Sequence, residues 1–313
     1  MKRGVLLVIA LMLFANGTCL AYTTPPLYLF QLPLGRVSQF AETSSGIILA
    51  PSLEGHVVYL CTETGTVVGQ FGAFAGATGV AVDNLGNIYV ADQTSNRIDK
   101  YGPGLNPINS WGSAGAGPGQ MSAPTNLALS PDFSRLYVAE LLNSRVSVFK
   151  TDGTFLFSFG VPGMASGQFN YPFSIVTDPT TGDLFITNEL NNRVDRWSGS
   201  GTYISSFGSA GSGPGQFSYP VGIGIEMSTG DLFVTDQLNN RVEKLTQGGA
   251  EIYDWGTYGP GNGQFYNPWS VFVTQAGYIW VGDTYNYRVQ VFDPSYATPA
   301  KTLTWGALKA SYR

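Results

Sequence analysis

The sequence predicts an all-β protein, a six-bladed β-propeller built from four-stranded antiparallel blades of about 48 residues each. Three observations carry that prediction. A hydrophobic strand, an acid or amide, a polar turn and then Arg recur as YVADQTSNRI, YVAELLNSRV, FITNELNNRV, FVTDQLNNRV and WVGDTYNYRV, which places Arg97, Arg145, Arg193, Arg241 and Arg288 at spacings of 48, 48, 48 and 47 residues. Other columns keep the same register, among them Gln120, Gln168, Gln216 and Gln264, and Pro124, Pro172, Pro220 and Pro268. Composition agrees: charged residues are 12% of the chain while Gly (40) and aromatics (13%) abound, a mixture that weakens helices and suits pleated, half-buried surfaces.

Each unit contains four short apolar runs. In the fifth unit they are residues 221–225, 232–235, 241–245 and 252–255, separated by the turn signals Ser228-Thr229-Gly230-Asp231, Gln237 to Asn240 and Gln247-Gly248-Gly249. Four strands joined by hairpin turns make an antiparallel meander. One such sheet cannot bury both faces, whereas several arranged radially pack on each other. Five units carry the arginine, and a degenerate one precedes them, where GIILAPSLEGHVVYL puts His56 in the arginine slot. The segment 28–31 resembles a fourth strand and can close the ring against the last blade; 301–305 fits the same place by register, and the sequence leaves the choice open.

The N-terminus reads as a targeting segment. Lys2 and Arg3, an apolar run from Val5 to Phe14 and then Cys19-Leu20-Ala21 predict a secretory signal peptide over 1–21 and a mature single-domain propeller over 22–313. Lipid attachment at Cys19 is the competing reading, for which Asn16-Gly17-Thr18 is a poor context. No later apolar segment is long enough to span a bilayer, so the product is expected to be secreted or associated with the cell envelope. Without Lys2 and Arg3 the chain carries 14 basic and 21 acidic residues, and that acidic balance argues against a nucleic-acid partner. Only Cys61 then remains, so no disulfide is expected within the mature chain.

The stretch GSAGSGPGQFSYPVGIGIEMSTGDLFVTDQLNNRVEKL, residues 208–245, resembles an NHL repeat, and five of the six units carry that signature. The resemblance implies a six-bladed β-propeller and leaves function open, since NHL-type propellers include lyases, sensor domains and pure interaction modules.

Residues present in every blade are expected to hold the blade together. Asp92, Glu140, Asn188, Asp236 and Asp283 end the second strand five residues before each arginine, where a planar guanidinium can meet a carboxylate or amide across the turn and the carbonyls that the turn leaves free. Such pairs are expected to be partly exposed and to define turn geometry more than stability. The glycine-rich stretches before the repeated glutamines lack the helix and lysine of a phosphate loop and are expected to connect one blade to the next, with Phe169, Phe217 and Phe265 wedged between blades.

Catalytic constellations are sparse. His56 is the only histidine, and propeller lyases that resemble this chain use histidine-bound zinc or a histidine base, which it cannot match. No G-x-S-x-G is present. No metal or cofactor is assigned; calcium is the alternative, since oxygen ligands suit it, with weak candidates in Asp83, Asp178 and Glu226 at the ends of innermost strands, although Ser130 and Thr274 fill that column elsewhere. No catalytic residue is assigned.

In a propeller the loops between strands two and three share one face with the connections between blades, and a ligand is read where the blades differ. There the variable positions include Gln93, Glu189 and Gln237, and beside the repeated prolines Tyr171, Phe173, Tyr219 and Trp269, with Tyr285 and Tyr287 close by. Aromatics around a neutral-to-acidic cup suit sugar rings, cationic groups or apolar peptide side chains. The expectation is a non-catalytic module that binds a protein or a cell-envelope glycan, the alternative being a calcium-dependent hydrolase or lyase with its site in the central channel.

Overall fold

The computed structural model describes residues 25–293, so the signal segment and residues 301–305 lie outside the described residues. Six four-stranded antiparallel sheets form the ring. Blade 1 runs from Ala41–Glu42 through Ile47–Ser52 and Val57–Thr62 to Val67–Phe71, and the innermost strands of blades 2 to 5 are Ala77–Val82, Pro124–Leu129, Pro172–Thr177 and Pro220–Ile225. In the fifth blade the remaining strands are Leu232–Asp236, Arg241–Leu245 and Glu251–Trp255, within a residue of the expected runs. Apart from two single-turn 3-10 helices, Glu189–Asn191 and Thr284–Asn286, the described residues hold no helix.

Blade 6 combines the two ends of the chain. Pro268–Val273, Ile279–Asp283 and Arg288–Asp293 supply three strands, and Leu27–Leu32 pairs antiparallel with Arg288–Asp293 as the fourth, from Leu27 opposite Asp293 to Leu32 opposite Val289. Arg288 reinforces the seam by donating to the Gln31 side chain at 2.6 Å. The N-terminal strand therefore takes the outermost position that the sequence left open.

Each of six buried apolar clusters lies between two adjacent blades. Phe169 packs with Trp197, Val146 and Val148 between blades 3 and 4, Phe217 with Phe185 and Val234 between blades 4 and 5, and Phe265 with Trp255 and Phe292 between blades 5 and 6. The middle strands are apolar because both their faces are buried: all five residues of Ile88–Asp92, Leu184–Asn188, Leu232–Asp236 and Ile279–Asp283 are buried. Cys61 lies in the cluster between blades 6 and 1, where burial pushes its thiol up to about 11 and makes it an inert small hydrophobe.

Polar bonds add to this packing near the axis. Ser38 donates to Thr78 O, Thr78 to Pro124 O at 3.1 Å, Thr125 to Phe173 O at 2.6 Å, Thr187 to Val221 O at 2.7 Å and Ser270 to Val37 O at 2.9 Å, so that five of the six blade junctions carry a hydroxyl-to-carbonyl bond. Blades 5 and 6 instead meet through Gly222, where a Cβ would come within 2.6 Å of Trp269 O.

Candidate functional site

The repeated polar residues form a scaffold under the face that carries the strand-two-to-three turns. Arg145, Arg241 and Arg288 pair through Nε with Glu140 (2.9 Å), Asp236 (2.9 Å) and Asp283 (2.7 Å). Their remaining N–H groups reach carbonyls of the connection that leads into the same blade: Arg145 donates to Ala116 and Gln120, Arg241 to Gly213 and Gln216, and Arg288 to Gly261 and Gln264. The guanidinium thus ties the turn to the inter-blade connection rather than to the turn's own carbonyls. These pairs are more buried than expected, with the Arg241 side chain 10% exposed and the Asp236 carboxylate wholly inaccessible.

Arg193 and Arg97 use a second acidic column two residues further on. Asn188 ends the strand in blade 4, so Arg193 pairs with Asp195 at 2.7 Å while Asn188 donates to the same carboxylate at 2.7 Å. In blade 2 the 44%-exposed Arg97 lies 3.0 Å from Asp99 and 3.8 Å from Asp92. Asp92 itself accepts from the backbone N–H groups of Ala75 and Gly76. Blade 5 has both acids: Arg241 Nη2 lies 2.6 Å from Glu243, and burial pushes the Glu243 carboxyl up to about 8.

Asparagines complete the scaffold. Asn96, Asn192 and Asn240 sit in left-handed backbone just before the arginine, and each side-chain carbonyl accepts the N–H of the residue that precedes the first strand of the next blade, Ala123, Tyr219 and Asn267, at 2.9–3.0 Å. His56 belongs to this column. It has φ 54°, and Val57 faces Ser52 as Arg97 faces Asp92, so the sequence alignment of blade 1 was one residue out of register. Without an arginine to anchor it, that blade ties its turn down through the Arg36–Glu54 ion pair.

On this scaffold the variable residues gather around the mouth of the channel. Phe173 of blade 4 and Trp269 of blade 6 meet edge to face at 6.0 Å, with the Trp269 indole N–H buried and without a hydrogen-bond partner among the described residues. Tyr171 and Tyr219 are each 37% exposed and adopt left-handed backbone at φ 64° and 61°, an uncommon conformation for a bulky side chain. Tyr285 lies tilted against Tyr266 at 5.1 Å, Tyr266 meets Tyr258 edge to face at 5.2 Å, and Tyr287 is exposed nearby. Tyr258 and Tyr266 were not expected. Their signal was a broken column, since Ala114 and Ala210 occupy the place of Tyr258, and Ser122, Asn170 and Ser218 that of Tyr266.

Gln93, Glu189 and Gln237 occupy one column at the start of the turn, half-buried in blades 2 and 4 and buried in blade 5. Glu189 has no side-chain partner among the described residues, and burial alone pushes its carboxyl up to about 7. The calcium candidates lie on the opposite face and in different blades. Asp83 accepts from Leu85 N, Asn87 and Tyr89 OH; Asp178 accepts from Thr180 N and Gln247; Glu226 pairs with Lys244 at 2.7 Å. Each is absorbed by its own turn or neighbour, and the described residues contain no group of three metal-ligating side chains.

Two segments, residues 74–101 and 265–292, match the model for the NHL repeat, so the chain carries NHL repeats in a six-bladed propeller. No curated protein matches the chain in sequence. Among solved structures, a streptogramin B lyase is similar with a TM-score of 0.62 at 15% identity, covering 86% of this chain and 96% of the lyase. A catalytically inactive His-to-Ala variant of virginiamycin B lyase from Staphylococcus aureus, solved with quinupristin, has a TM-score of 0.59 at 16% identity and covers 86% of this chain and 87% of its own. Hydrazine synthase from Kuenenia stuttgartiensis has a TM-score of 0.60 at 13% identity, covering 90% of this chain and 99% of its own. At such identities the likeness is one of fold. No helix among the described residues is long and apolar enough to cross a membrane.

Proposed function

We propose that the protein is an exported, non-catalytic binding propeller that holds a protein or a cell-envelope glycan on the turn face of blades 4 to 6. The observation that carries this reading is the run of exposed tyrosines Tyr258, Tyr266 and Tyr285, flanked by Tyr287, on a face whose repeated arginines and asparagines are committed to the scaffold. Solvent-exposed large apolar side chains grouped at one place mark interaction sites. Of the two partners the rings favour a glycan, because a tyrosine offers an apolar face to the C–H side of a sugar and a hydroxyl to its rim.

The test is calorimetric titration with soluble peptidoglycan fragments and chito-oligosaccharides. Replacing Tyr258, Tyr266 and Tyr285 together by Ala should weaken binding at least tenfold while the melting temperature moves by only a few degrees, since all three rings are exposed. Undiminished binding by the triple variant overturns the assignment of this face.

The fold likeness to lyases supports a second reading, a calcium-dependent hydrolase or lyase with its site in the channel. It requires Asp83, Asp178 and Glu226 to leave the bonds that now hold them. A histidine-based lyase mechanism would have to rest on His56, whose place in the repeat is that of the turn asparagines.

A further inference from the structure

The central channel is not the same at its two ends. At the turn face Phe173 and Trp269 meet, and beneath them the Gln39 side chain reaches from blade 1 to blades 2 and 3, accepting from Val80 N at 2.8 Å and donating to Leu127 O at 2.9 Å. The lining at that level is buried, with Asn126, Ser174 and Ser270 each 2–3% exposed. Toward the opposite face the cavity continues to the last residues of the innermost strands, where Val82, Leu129, Thr177 and Ile225 are half-exposed and Met227 stands in solvent. The result is a blind, largely apolar well of about 280 Å³, closed above and open below.

Size and charge define what fits it. An apolar cavity of roughly 150 Å³ takes one benzene, so this well has room for about ten to twelve non-hydrogen atoms. Its accessible walls are Val82, Leu129, Val176, Ile225 and Phe272, while Gln39 and the Asn126–Ser174 hydrogen bond lie at its closed end. Its rim is acidic: Glu42 lines the opening, and Asp83, Asp178 and Glu226 directly follow the lowest lining residues. Lys244 beside them is already paired with Glu226 and Asp231.

We infer that this well is a second binding site, distinct from the tyrosine face, for a small cationic amphiphile: an unbranched aliphatic tail inside and an ammonium head at the Glu42 rim. The inference does not rest on the glycan reading, since the two sites open on opposite faces. Each methylene buried contributes about 0.8 kcal/mol, so affinity should climb with chain length until the well is full.

The experiment titrates the folded protein calorimetrically with hexyl-, octyl-, decyl- and dodecylammonium below their micellar concentrations, with decanoate as the charge control. Saturable one-to-one binding is expected, rising about fifteenfold per two carbons to about ten carbons and then levelling, with decanoate at least tenfold weaker. Ile225→Trp, which fills the well, should weaken decylammonium at least tenfold, and Phe272→Ala, which deepens it, should move the levelling point to a longer chain. The tyrosine triple variant should bind decylammonium as the wild type does. Absence of saturable binding, affinity that rises without levelling, equal binding of decanoate, or loss of binding in the tyrosine variant would each overturn the inference. If Ile225→Trp does not fold, an unchanged levelling point in Phe272→Ala does so.

Discussion

The two halves of the ring use one sequence column for different ends. The residue after the repeated proline position is Ser38, Thr78 and Thr125 in blades 1 to 3, and each hydroxyl bonds a carbonyl of the following blade. In blades 4 to 6 the same column holds Phe173, Val221 and Trp269, two of which cover the channel mouth. The junctions of that half are held from other positions, by Thr187, by Ser270 and by the close approach at Gly222. Ring closure therefore does not depend on a fixed column, and moving it elsewhere leaves blades 4 to 6 free to present aromatics.

The largest effect that sharpens this comparison should come from the arginines. Arg241→Ala leaves Asp236 and Glu243 buried without their cation and should cost about 3–5 kcal/mol. Arg97→Ala removes a guanidinium that is 44% exposed and should cost about 1 kcal/mol or less. Urea denaturation of both variants measures the difference, and equal losses would show that burial does not rank the blades.

Next come the hydroxyls. Thr125→Val and Thr187→Val each remove one inter-blade bond, at 2.6 Å and 2.7 Å, and each should cost about 1 kcal/mol in denaturant unfolding. Similar losses mean that Thr187 has taken over the role of the vacated column; a negligible loss at Thr187 would break the equivalence of the halves.

A pH dependence tests the second acid of blade 5. Burial raises the Glu243 carboxyl to about 8 in the folded protein, so between its ordinary value and 8 the folded state binds a proton that the unfolded state does not. Its contribution to stability is full below the ordinary carboxyl range and is lost as pH rises through 8. Glu243→Gln should flatten the fall in melting temperature between pH 5 and pH 8.5, and an unchanged slope would remove Glu243 as its source.

Much of this architecture was legible because the fold repeats. The period of Arg145, Arg193 and Arg241 fixed the blades, and the apolar runs of the fifth unit placed its strands to within a residue. What stayed hidden lay between repeats or outside them. Arg145 and Arg241 bond carbonyls in the preceding connection, a contact no local pattern reveals, and Asn96 bonds the next blade. His56 was misplaced because blade 1 has neither the acid nor the arginine that sets the register. Two segments matched the closing strand, and pairing with Arg288–Asp293, not propensity, favours Leu27–Leu32. The tyrosine face was half legible: Tyr285 and Tyr287 stood out against the asparagine-rich turns, whereas Tyr258 and Tyr266 sat in connections read as glycine-rich spacers.

The central claim, that blades 4 to 6 carry the recognition surface on a scaffold that does not need their aromatics, is tested most directly by restoring the period. Phe173→Thr and Trp269→Thr together give blades 4 and 6 the residue type of blades 2 and 3. Melting temperature and titration with the best-binding peptidoglycan fragment are then measured on the same preparation. The account predicts a melting temperature within a few degrees of wild type and at least a tenfold loss of binding. Full binding, or a protein that no longer melts cooperatively, would contradict it.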